Sequence, residues 1–81
     1  IMDRLYITVV AAISPKGDIL PKMIVFEDGS KFKVDRRLQS PLRQAAKDGS
    51  PDWRFPCLVQ GRPVVLFHDP LSHRWWLDPS A

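Results

Sequence analysis

The chain has 81 residues, of which 44% are hydrophobic, and its formal net charge is +3. A chain of this length holds one modest core, so residues 1–81 are predicted to form a single small domain that needs neither a disulfide nor a metal. The single cysteine excludes an internal disulfide, and no run reaches the ~20 apolar residues of a membrane-spanning helix, which favours a cytoplasmic protein.

The first half of the chain predicts three strands. The first runs from about Arg4 to Ile13, is rich in β-branched residues and ends at the proline-glycine loop 14–18. The second covers Ile19–Glu27 and the third Lys31–Asp35. Between them Asp28-Gly29 predicts a two-residue turn with positive φ angles, because such turns match the twist of paired strands. This β-hairpin is the clearest structural signal in the sequence.

The following segment, residues 36–52, lacks the alternation of a strand. Ser40-Pro41 is typical of a helix start, and the stretch Leu42–Lys47 therefore predicts one short helical turn that ends at Asp48-Gly49. A 3₁₀ turn or an ordered loop fits this stretch equally well.

The last third of the chain predicts three more strands. They cover Trp53–Gln60, Pro63–His68 and Arg74–Leu77, and a tight turn at Gly61-Arg62 joins the first two into a hairpin. Short loops between strands indicate an antiparallel meander. We therefore predict an all-β domain, a five- or six-stranded SH3-like barrel in which closure removes exposed edges, with an open antiparallel sheet as the alternative.

Several of these segments follow one another in a recognisable order. They are ILPKMIVFEDGSKFKVDR, the pair Ala45-Ala46, the strand WRFPCLV, the turn QGR, and VVLFHD leading to RWWLD. In this order, from about Gly17 to Leu77, the chain resembles a small family of uncharacterised bacterial proteins, most of them from Firmicutes. Because that family has no established activity, the resemblance implies no functional residue.

The positive charge is concentrated between residues 31 and 54. The basic residues there are Lys31, Lys33, Arg36, Arg37, Arg43, Lys47 and Arg54. On one face they would form a patch for nucleic-acid phosphates, with Trp53 and the pair Trp75-Trp76 available for base stacking. Adjacent tryptophans in a strand point to opposite faces, so one of the pair is expected in the core and the other exposed to a partner. Alternatively, these charges only solvate the sheet.

The favoured hypothesis is a binding module for a protein partner, with nucleic-acid binding as the alternative. An exposed strand edge would also allow the protein to form a homodimer. The cluster Asp35-Arg36-Arg37 predicts either an ion pair that anchors the long connection or two guanidinium groups presented to phosphate.

Catalysis has little support in the sequence. Cys57 lies among apolar residues and is predicted to be a buried, unreactive thiol. His68, Asp69 and His73 have the chemistry of metal ligands, but Pro70 makes Asp69 a natural turn residue. The glycines are isolated turn formers and no phosphate-binding loop is present. We therefore expect neither an enzyme nor a bound cofactor or metal.

Overall fold

A computed structural model describes residues 3–43 and 51–80, and within them every regular element is a strand. In chain order the strands are β1 (Leu5–Ile13), β2 (Ile19–Val25), β3 (Lys31–Arg37), β4 (Leu42–Arg43), β5 (Trp53–Val59), β6 (Arg62–His68) and β7 (Trp75–Leu77). The six strands predicted from the sequence are confirmed, with small differences at their ends. The described residues contain no helix that could span a membrane.

Six of the strands form a closed antiparallel barrel. Neighbouring strands follow the order β3-β2-β1-β7-β6-β5, and pairing between β3 and β5 closes the circle. This closure confirms the predicted small SH3-like barrel and excludes the open sheet. The register of the closing pair places Val34 opposite Val59 and Arg37 opposite Cys57, with a bulge between Val34 and Arg36.

The short strand β4 corrects the predicted helical turn. Leu42 and Arg43 pair with Arg54 and Trp53 of β5, along the part of β5 that β3 does not reach. An unpaired stretch of β5 offers backbone partners that a single isolated turn cannot match, so tertiary pairing overrides the local signal. Residues 44–47 of the predicted turn, and its expected end at Asp48-Gly49, lie outside the described residues.

Both hairpin turns exist, with details that differ from the prediction. At the first turn Phe26 N–H donates to Ser30 O at 2.9 Å, and Gly29 alone has a positive φ, 87°. The loop therefore has three residues, and the Asp28 carboxylate accepts the Ser30 N–H. The second turn consists of Gln60 and Gly61, with φ angles of 49° and 80°, one residue earlier than predicted. This pair of positive φ angles is typical of a type I′ turn.

The barrel interior holds the main core. Its buried residues are Ile24, Val34, Phe55, Cys57, Val59 and Leu66. Cys57 is fully buried, as predicted, and burial raises the pKa of its thiol to about 11, against a smaller opposing effect of the Arg37 charge. The thiol therefore stays protonated near neutral pH, and the nucleophilic thiolate is scarce.

A second, smaller cluster lies outside the barrel. Phe67 and Trp76 stack with their ring centroids 4.1 Å apart, and the Arg4 guanidinium carbon lies 4.2 Å from the Trp76 ring centroid. The buried carboxylate of Asp52 accepts the Trp76 indole N–H at 2.6 Å and faces an Arg4 nitrogen at 3.5 Å. These contacts attach the residue that precedes β5 to the barrel wall at β7.

The Asp52–Trp76 hydrogen bond predicts a specific pattern of stability changes. Asp52→Ala should lower the free energy of unfolding by about 1–3 kcal/mol, because it leaves a buried indole N–H without an acceptor. Asp52→Asn should cost less, since its side-chain oxygen can still accept that hydrogen. Urea unfolding followed by tryptophan fluorescence measures both values. Equal losses in the two variants would contradict this assignment and point to the Arg4 charge contact instead.

Candidate functional site

One side of strand β1 is only partly paired. Leu5–Ile7 pairs with the three residues of β7, whereas Thr8–Ile13 pairs with β2 on its other side. Within residues 3–43 and 51–80, no strand pairs with Thr8–Ile13 on the side where β7 has ended. Backbone N–H and C=O groups along this side, which we name the β1 edge, are therefore without strand partners.

The residues of the β1 edge lack the usual protection of an edge strand. Their sequence, TVVAAI, contains no charge and no proline, although edge strands are normally protected by lysine, proline or a covering segment. Val10 is 51% exposed and Ile13 is 65% exposed, and Ala11 and Ala12 between them are exposed as well. The β1 edge is thus an accessible, uncharged template for another strand.

A bulge on β2 shapes the end of this hairpin. Val10 lies opposite Met23 and Ala11 opposite Pro21, so Lys22 is an extra residue on β2. A bulge accommodates a proline that cannot donate to the ladder, and it increases the local twist. Beyond the bulge, pairing with β2 continues as far as Ile13, whereas pairing with β7 ends at Ile7.

A pocket lies at the end of the barrel where β1 turns into β2. It is lined by the turn that joins β1 to β2, by the ends of β3, β5 and β6, and by the loop that follows β6, and its volume is about 450 Å³. Trp53 and Phe55 form an apolar wall, and Arg37, His68 and His73 contribute polar atoms. We name this cavity the barrel-end pocket.

The basic residues predicted as a binding patch are divided among several surfaces. Lys31, Lys33 and Arg36 are exposed on β3. Arg54 is half-buried on β5, with its guanidinium carbon 5.6 Å from the Phe67 ring centroid. It therefore belongs to the aromatic cluster outside the barrel.

The remaining arginines of that set point elsewhere. Arg37 lies opposite the buried Cys57 and lines the barrel-end pocket. Arg43 pairs with Trp53, and its guanidinium carbon is 5.6 Å from the Trp53 ring centroid. Lys47 lies outside the described residues. The structure thus does not bring the described members of this set onto one face, and nucleic-acid binding stays a sequence-based prediction.

None of the three tryptophans is exposed, although one was expected to be. Trp75 and Trp76 do point to opposite sides, and Trp75 packs inside with its ring 4.9 Å from that of Phe55. Trp76, on the outside, is nonetheless fully buried, because the Phe67 ring and the Arg4 and Asp52 side chains cover it. Trp53 is half-buried in the pocket wall. The prediction of an exposed tryptophan for a partner is therefore wrong.

The polar clusters found in the sequence have local roles. The Asp35 carboxylate accepts the Gly61 N–H at 3.0 Å, so it fastens β3 to the turn between β5 and β6. It forms no ion pair with an arginine or lysine of the described residues. The Asp69 carboxylate accepts the Leu71 N–H at 2.8 Å inside its own loop. In the described parts of the chain, no three histidine, cysteine or carboxylate side chains are grouped as metal ligands.

The sequence predicted that an exposed strand edge could form a homodimer but did not assign this edge to β1, although a signal for that assignment was available. The run from Leu5 to Ile13 has only weak alternation of polar and apolar residues, which is typical of a strand covered on both faces. A chain of 81 residues has too few other elements to cover such a strand. A strand with the pattern of a fully covered strand, in a chain too short to cover it, predicts an exposed apolar strand.

Comparison with family models, with curated proteins and with solved structures gave no match. The resemblance to uncharacterised bacterial proteins therefore stays a prediction, and function has to be inferred from the geometry.

His68 predicts a pH-dependent stability. Its imidazole is buried against the Trp75 ring, and burial lowers its pKa, with the nearby His73 adding to this effect and Asp69 and Asp52 opposing it. The unfolded chain therefore takes up the proton first as the pH falls, so the free energy of unfolding should decrease as the pH falls through about 6.5, the ordinary pKa of histidine.

Denaturant unfolding at several pH values tests this assignment. His68→Phe keeps an aromatic ring and should flatten the pH dependence, whereas the exposed His73→Gln should retain most of it. An unchanged slope in His68→Phe would show that another group is responsible.

Proposed function

We propose that this protein is an interaction module that associates through the β1 edge, and that its partner is a second copy of the same chain. The observation that carries the proposal is the uncharged and exposed stretch Thr8–Ile13 beside a β7 of only three residues. Addition of a strand to a free sheet edge is a general mode of protein recognition, in which main-chain hydrogen bonds supply much of the affinity.

The β1 edge is complementary to itself. In an antiparallel pair, residues directly opposite each other lie on the same face of the sheet. A two-fold axis can therefore place Val10 opposite its own copy, which pairs Thr8–Ala12 with the second chain. It can equally place Ala11 opposite its own copy, which pairs Val9–Ile13. Both registers form an isologous interface from the same residues.

The composition of the edge also supports a second copy. Both chains contribute small or β-branched apolar side chains, so no charge has to be desolvated when the strands meet. The alanines at positions 11 and 12 leave room for close approach of the second backbone. An interface made from one strand per chain is small, so we expect reversible association with a dissociation constant of roughly 1–100 μM.

Nucleic-acid binding, the alternative suggested by the sequence, has less support from the geometry. Its requirement was a single basic face. Among the described basic residues between positions 31 and 54, Lys31, Lys33 and Arg36 lie on the outside of β3, Arg54 in the aromatic cluster, Arg37 in the barrel-end pocket and Arg43 against Trp53. The β1 edge carries no basic residue at all.

A double substitution on the outer side of β1 tests self-association. Val10→Lys combined with Ala12→Lys places like charges directly opposite each other in either register, which should abolish the dimer. Sedimentation equilibrium over about 5–500 μM should show a monomer–dimer equilibrium for the wild type and a monomer for the variant.

Val65→Lys is the matched control, because Val65 is an exposed valine on the outside of β6, away from the β1 edge. It should associate as the wild type does. A wild type that is monomeric over the whole range would refute the proposal. So would an equal loss of the dimer in Val65→Lys. Far-UV circular dichroism establishes that each variant is folded.

A further inference from the structure

The barrel-end pocket has the size and walls of a small-molecule site. Its volume of about 450 Å³ falls within the range of roughly 300–1,000 Å³ that is typical of ligand pockets. Trp53 and Phe55 present aromatic surface, and Ile19 adds an aliphatic side chain. Such walls accept an apolar and preferably flat group.

Arg37 gives this apolar pocket a positive charge. The bulge in the pairing of β3 with β5 places Arg37 opposite Cys57, so its side chain lies at the barrel end while the neighbouring Arg36 is exposed outside. The guanidinium donates one long hydrogen bond, 3.5 Å, to the Ile19 carbonyl. Among residues 3–43 and 51–80, no carboxylate forms an ion pair with it. Most of its donor hydrogens are therefore available to a ligand.

No other described polar group of the pocket forms an ion pair with this positive charge. His68 and His73 stand near each other with ring centroids 6.0 Å apart, and neither carries negative charge in any state. Asp18 is the carboxylate among the described lining residues, and it is exposed on the turn at the mouth of the pocket. A half-buried guanidinium beside aromatic walls favours an anionic group over water.

We infer that the barrel-end pocket binds a small organic carboxylate, with an aromatic body against Trp53 and Phe55 and its charge on Arg37. A single guanidinium fork matches the two oxygens of one carboxylate, whereas the apolar walls offer nothing to a fully hydrated inorganic anion. This ligand site is separate from the β1 edge and does not depend on self-association.

Titration with 2-naphthoate and with its neutral analogue 2-naphthamide tests this inference. The full chain is labelled with ¹⁵N, and the backbone amides together with the Trp53 indole N–H are followed by NMR. Wild type should bind 2-naphthoate at least about 10-fold more tightly than 2-naphthamide, because only the carboxylate forms a charge-assisted hydrogen bond with Arg37. The largest shifts should map to Trp53 and Phe55.

Two arginine variants provide a matched comparison. Arg37→Gln should weaken 2-naphthoate binding about 10-fold and leave 2-naphthamide binding unchanged, whereas Arg36→Gln, outside the barrel, should change neither. Equal affinity of the wild type for 2-naphthoate and 2-naphthamide would overturn the inference, whatever the variants show. An equal effect of the two substitutions, or no shift with 2-naphthoate up to about 10 mM, would overturn it as well. The monomeric Val10→Lys/Ala12→Lys variant should give the same titration as the wild type.

Discussion

The difference in length between two neighbouring strands determines much of this structure. Strand β1 has nine residues and β7 has three, so β7 closes the barrel only along Leu5–Ile7. The loop that precedes β7 uses residues that could otherwise have extended it: Asp69 N–H donates to Arg74 O, and His73 has a positive φ of 62°. Because β7 begins late, no described strand pairs with that side of Thr8–Ile13. The loop before β7 also contributes Pro70 and His73 to the lining of the barrel-end pocket.

So short a strand needs support from outside the barrel. Trp76 of β7 stacks on Phe67 of β6, and its indole N–H is held by the buried Asp52 carboxylate. The same carboxylate faces Arg4, which precedes β1. Residues from three other parts of the chain thus fix β7 at the outer wall, while Cys57 and Leu66 fill the interior. This double packing lets three residues close the barrel and leaves Thr8–Ile13 without a described strand partner on that side.

Local sequence patterns predicted the structural features that depend only on residues close together in the chain. Asp28-Gly29 indicated the first hairpin, and the adjacent Trp75 and Trp76 indicated opposite faces, because turn chemistry and strand alternation act over a few residues. Burial of Trp76 could not be predicted, since it depends on Asp52, which is distant in the chain. The inward position of Arg37 depends on a bulge in a long-range pairing. The concentration of basic residues in the sequence therefore predicted one basic patch, whereas the fold separates the arginines.

If the β1 edge mediates self-association, part of β1 has a free edge in one chain and a covered edge in the pair. Amide hydrogen exchange measured by NMR on dilute and on concentrated protein distinguishes these two states. The amides of Thr8–Ile13 that point away from β2 should exchange rapidly in dilute solution and slowly in concentrated solution, while those of Leu5–Ile7 should not change. Slow exchange along all of Thr8–Ile13 at both concentrations would contradict the account, because the edge would then be covered within a single chain.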